Sequence, residues 1–185
     1  MNYTVLGHPF TINIMNRAFS LKNLSLVVAT LSILLGSFYP SARAGETDAR
    51  VKAALEQAGM KYEVTSDGDF KVIVTCPNDR TQVVLINSNT NKINGTTVEL
   101  REVYALAYKS PGLLSSEISD KMMRQSHDKK IGSWEIIRTS SNNNLAIFNA
   151  KIDAKLDDNS LVKIINSIGL VADNMEKELT NKDEY

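Results

Sequence analysis

Residues 61–87 read KYEVTSDGDFKVIVTCPNDRTQVVLIN. Three β-rich runs, Lys61–Thr65, Phe70–Thr75 and Thr81–Asn87, are separated by two short turns. Asp67-Gly68 sits in the first. Gly takes a positive φ at no steric cost, so Asp-Gly between β-rich runs is a strong hairpin signal. Pro77-Asn78-Asp79 makes the second turn, and Val83, Val84, Leu85 and Ile86 have the unbroken apolar character of a central strand. Turns this short join neighbouring antiparallel strands. The stretch predicts three of them in succession.

Upstream, Thr47 or Asp48 caps a helix whose Val51, Ala54, Leu55 and Ala58 recur at i, i+3, i+4 and i+7. Gly59 suits its left-handed stop. Downstream, residues 87–97 form an Asn-rich polar loop with an Asn94-Gly95 turn. Thr97–Tyr108 fits two patterns. Strand alternation puts Val98, Leu100, Tyr104, Leu106 and Tyr108 on one face with Glu102 as the misfit, while helical spacing groups Leu100, Val103, Tyr104 and Ala107 almost as well. β-branched and aromatic residues, and the sharp stop at Lys109-Ser110-Pro111-Gly112, favour a strand.

From Leu113 the spacing predicts a helix with Leu114, Ile118 and Met122 on one face and Leu113 and Met123 beside them, fraying near Ser126–Lys130. Ile131–Arg138 and Leu145–Ile152 flank Ser140–Asn144 as another hairpin. In the last helix, Leu161, Ile164, Ile165, Ile168, Val171, Ala172, Met175 and Leu179 form an unbroken apolar stripe, with Glu176 and Lys177 on the wet side. Asp157 or Asp158 caps its start, and Asn181–Tyr185 is a charged tail. The order α-β-β-β-β-α-β-β-α predicts an α+β fold, an antiparallel sheet of about six strands with helices packed on one face.

Residues 15–44 read as an export signal of Sec type. Arg17 and Lys22 give a basic entry, and Leu24–Gly36 is an apolar run interrupted only by Ser25, Thr30 and Ser32. Pro40 breaks any helix, and Ala42-Arg43-Ala44 supplies the small–x–small pattern for cleavage between Ala44 and Gly45. The run is short for a bilayer, which takes about 20 residues. Residues 1–14 hold no Lys or Arg, so Met15 rather than Met1 is the expected start. This predicts a secreted or periplasmic domain, residues 45–180, with no stable membrane anchor once the signal is cleaved. Without Arg17, Lys22 and Arg43, 18 basic residues face 21 acidic ones, a net charge of about −3. That balance gives no drive toward nucleic acid or anionic lipid.

Residues with catalytic or ligand chemistry are few. Cys76 is the only cysteine, so no internal disulfide can form. It reads as a semi-buried unreactive thiol or as half of an intermolecular disulfide. His127 is the only histidine after cleavage, in the polar run Gln125–Lys130, and a nucleophile–base pair would have to use it. Zinc needs three or four N or S ligands, and this pair offers two. Ser66-Asp67-Gly68-Asp69 lacks the further acids of a calcium loop. Asp157-Asp158 and Glu176/Glu178 are explained by capping and a solvated helix face. Asn94-Gly95-Thr96 reads as a turn, and Trp134, alternating with Ile136, as core. The expectation is no catalytic residues, no metal and no cofactor.

Gly59–Val74, the strand Arg80–Asn87, Gly132–Ile136, Leu145–Ala154 and the closing helix Leu161–Leu179 with its Ala172-Asp173 step together resemble the YbjN family. They span roughly residues 46–180. The resemblance implies a small α+β domain with a fold like that of type III secretion chaperones, described as a sensory-transduction regulator, with no catalytic residues to carry over. Secretion chaperones dimerise and hold client segments; this chain departs from them in its export signal. The expected function is an exported, non-enzymatic interaction or regulatory module that binds a protein or peptide partner, with a chaperone-like mode and a homodimer among the forms the resemblance implies. The alternative is a periplasmic small-ligand or lipid carrier. Two surfaces are expected to serve the partner. Tyr104, Leu106 and Tyr108 would lie on an edge strand, and Met122 and Met123 on the neighbouring helix.

Overall fold

The computed structural model describes residues 45–185, and the expected signal, cleavage motif and start site lie outside them, except for Gly45. The elements are α1 (Ala49–Gln57), β1 (Tyr62–Val64), β2 (Phe70–Thr75), β3 (Thr81–Ile86), β4 (Asn91–Lys92), β5 (Glu99–Ser110), α2 (Ser116–Asp128), β6 (Ser133–Arg138), β7 (Asn144–Asp153) and α3 (Asp158–Thr180). This is the expected α+β order with one addition. The Asn-rich loop contributes the two-residue β4, which makes the sheet seven-stranded.

Local signals account for the boundaries. Asp48 accepts from the N–H of Arg50, Ser115 from Ile118 and Asp157 from Ser160, each satisfying a donor that the helix leaves unpaired. The Ser115 cap starts α2 later than the apolar spacing alone suggests, so Leu113 stands outside the helix and is 81% exposed. Gly68 has φ +84° in the β1–β2 turn, and a Cβ there would fall 2.3 Å from the Gly45 carbonyl oxygen. Only glycine permits that approach.

The sheet is antiparallel throughout, in the order β1-β2-β3-β5-β7-β6, with β4 beside the start of β5. Thr97–Tyr108 therefore falls in a strand, but in a central one. The expected edge position is corrected: α2 carries the chain across to β6, and the β6–β7 hairpin folds back to insert β7 beside β5. The edges are β1 and β6.

A bulge between Leu106 and Tyr108 turns over the end of β5. Leu106 pairs with Ile147, and Tyr108 with Ala146 of the core. Tyr104 and Leu106 thus face one way, and Tyr108 faces the other and packs against the core. One face of the sheet carries Val72 and Val74 of β2, Val84 and Ile86 of β3, Val103 and Ala105 of β5, and Phe148 and Ala150 of β7. These join Val51 and Leu55 of α1, Met122 of α2 and Ile165, Ile168 and Met175 of α3 in a single buried cluster. A Cβ on Gly169 would lie 3.0 Å from Val74 Cβ, so α3 lies directly on β2. All three helices cover this one face.

Candidate interaction surface

Among the described residues, no helix packs on the other face of the sheet. Strand alternation sends there the residues between the core positions. Ile73 of β2 pairs with Val83 of β3; Leu85 of β3 pairs with Tyr104 of β5, which pairs with Asn149 of β7. Leu106 pairs with Ile147, and Leu145 with Ile137 of β6. These cross-strand rows form an apolar band across the sheet. Ile73 is 60% exposed, whereas Val83, Leu85, Tyr104 and Leu106 are half-buried. Ile147 and Asn149 of β7, paired with β5 on one side and β6 on the other, are buried.

Charged pairs rim the band. Lys71 bonds Glu63 of β1 at 3.0 Å, and Lys151 bonds Glu135 at 2.9 Å with Glu102 at 3.8 Å. Asn149 Nδ2 donates to Glu135 Oε2 at 3.1 Å, while its buried Oδ1 has no hydrogen-bond partner among the described residues. An apolar band with a charged border suits an apolar polypeptide surface with polar groups at its margin.

Of the expected partner residues, Tyr104 and Leu106 lie on this face and Tyr108 does not, because of the bulge. Met122 is corrected as well. It is 2% exposed in the core, while Met123, one helical step of 100° further round, is 70% exposed. Ile73, Leu85, Ile147 and Ile137 belong to the band and were not among the expected residues. Runs such as Phe70–Thr75 are apolar at most positions, so they carry no alternation to separate the covered side from the bare one.

A second cluster lies where α3 ends. Glu176, expected on the wet side, is corrected: it is fully buried. The reason is the tail. Asn181 closes α3 with φ 55°, and the chain folds back, so that Glu184 N–H donates to Glu176 Oε1 at 2.5 Å. Thr81 N–H donates to Asp183 Oδ1 at 3.2 Å, and Val83 N–H to the Tyr185 carbonyl at 2.5 Å. The tail is taken up by the first residues of β3, which pairs with β5 only at Val84, Leu85 and Ile86. Arg80 Nε donates to Asp173 Oδ1 at 2.6 Å, with Nη2 3.6 Å from Glu176 Oε2. Burial pushes the Glu176 carboxyl above its ordinary value, against the opposing pull of the tail N–H groups and Arg80.

Cys76 is buried beside this cluster, and burial, then the Asp173 charge, raises its thiol to about 11. His127 stands exposed in the last turn of α2. At the other end of the sheet, Arg101 is buried on the covered face and donates to Asn87 O at 2.6 Å and Asp48 Oδ2 at 2.5 Å. Burial pushes Asp48 up, but the bonds from Arg50 and Arg101 outweigh it and hold the carboxyl well below the usual range. A polar cleft of about 360 Å³ lies there, lined by Glu46, Thr47, Asp48, Ser88, Asn89 and Thr90. Asp48, Ser88 and Asp69 knit α1 to the turns on either side of β2 and β3. Compared with known protein families, with curated proteins and with solved structures, the chain finds no match.

Proposed function

We propose that this chain is an exported, non-enzymatic interaction module of YbjN type, which binds a protein or peptide partner on the bare face of its sheet. The observation that carries the reading is the apolar band through Ile73, Leu85, Tyr104 and Leu106, which no described element covers. Burying a side chain such as Ile73 is worth about 1.5–3 kcal/mol, and the fold forgoes it there. A partner recovers it. The charged rim sets the partner's orientation. The export half of the reading rests on the Leu24–Gly36 run and Ala42-Arg43-Ala44, and the YbjN half on the segments quoted above.

The alternative of a small-ligand or lipid carrier lacks support, since such a carrier needs an apolar cavity of about 300 Å³ or more. The space between sheet and helices is filled by Ile165, Ile168, Met175 and Phe148, and the cleft near Asp48 is polar. Ile73→Glu tests the reading. It should leave the circular dichroism and melting temperature of the parent unchanged while abolishing retention of the partner, or, if the partner is a second copy, shifting sedimentation to the monomer. A variant that keeps full association rejects the bare face as the binding surface.

A further inference from the structure

We propose that Asp173 and Glu176 of α3 and Asp183 of the segment after it hold one hard divalent cation through carboxylate oxygens, and that the ion fastens residues 181–185 to β3. One oxygen from each of the three lies within 4.8 Å of the others, a span that a single ion with oxygen ligands at about 2.1–2.5 Å can bridge. Asp173 and Glu176 are three residues apart and so share a helix face.

A second observation separates this site from an ordinary acidic patch. Glu176 is fully buried, and its Oε2 has no hydrogen-bond partner among the described residues. Its nearest opposite charge, Arg80 Nη2 at 3.6 Å, is too far for a hydrogen bond and is itself buried and unpartnered. Arg80 spends its Nε on Asp173. One guanidinium thus faces three carboxylates, of which two are buried. Uncompensated buried charge is costly, and a bound cation relieves it. An all-oxygen set selects a hard ion such as Ca2+, Mg2+ or Mn2+ over a thiophilic one.

The ion has a structural consequence. Asp183 is the exposed member and the only one outside α3. Binding therefore ties the tail, already bonded through Thr81 N–H and Val83 N–H, to the buried end of the helix. The tail covers the part of β3 that β5 leaves unpaired, so the ion makes that occupation more persistent.

Isothermal titration of the purified full chain, stripped with chelator, against Ca2+, Mg2+ and Mn2+ in turn tests the site. At least one ion should bind with a stoichiometry near one, and it should slow amide exchange at Thr81 and Val83. Asp183→Asn, an exposed substitution that leaves the core untouched, should weaken binding by about tenfold or more and abolish the exchange effect. Glu178→Gln, an exposed acid on the same helix, should leave the affinity unchanged. No binding at millimolar concentration of any of the three ions overturns the proposal, as does equal affinity in the parent and Asp183→Asn.

Discussion

Val72, Val74 and Val84 on one side of the sheet, and Ile73, Val83 and Leu85 on the other, come from the same two six-residue strands. The first three are buried; Ile73 is exposed, and Val83 and Leu85 are half-buried. Nothing in the strands accounts for the difference, since all six side chains are aliphatic. The helices account for it. α1, α2 and α3 each bring a single apolar face, and all three lie against the same side of the sheet. The other side carries apolar residues that no described helix covers, and it is these that the proposed function assigns to a partner.

Substitutions on the two sides should diverge accordingly. Ile165 sits mid-stripe on α3 with no exposure, so Ile165→Ala should cost about 2–5 kcal/mol through lost transfer energy and a cavity. A lower urea midpoint at unchanged slope is the expected result, and Lys163→Ala on the wet side of the same helix should change neither. Next in size is Asp48→Ala. It removes a cap and takes from buried Arg101 its carboxylate partner, leaving the bond to Asn87 O, a loss of about 1–3 kcal/mol on thermal unfolding.

Acid should act on the same end of the sheet. Hydrogen bonds from Arg50 and Thr90 lower the Glu99 carboxyl from 4.5 to about 2. A carboxyl depressed in the folded state contributes stability that is present above its ordinary value and lost as pH falls through the folded one. The contribution should therefore disappear between about pH 4.5 and pH 2, and Glu99→Gln should flatten that part of a melting-temperature profile. The smallest effect on stability belongs to the bare face. Ile73→Glu and Met123→Glu should each stay within about 0.5 kcal/mol of the parent in urea. Cys76→Ala and His127→Ala should leave association intact.

Much of this architecture could be read along the chain. The Asp67-Gly68 hairpin, the α3 stripe and the strand character of Thr97–Tyr108 are local patterns of turn chemistry and periodicity, and all appear in the structure. The position of β5 at the centre is set by where α2 delivers the β6–β7 hairpin, a long-range choice that no local pattern in β5 records. The bulge before Tyr108 and the burial of Glu176 under the returning tail are likewise decided by distant residues. Tyr104 and Leu106 could be singled out as residues too large and apolar for the solvated edge strand expected there, and they lie instead on the bare face of a central strand. Ile73 and Leu85 were hidden in runs that are apolar on both sides.

A photo-crosslinking residue placed at position 73 on the bare face, and separately at position 163 on the wet side of α3, offers the most direct test in the cells that make the protein. Position 73 should give a discrete adduct of higher mass on irradiation, with the partner or with a second copy, and position 163 should give none. No adduct from position 73, or the same adduct from both positions, would contradict the assignment of the bare sheet face as the surface through which this protein acts.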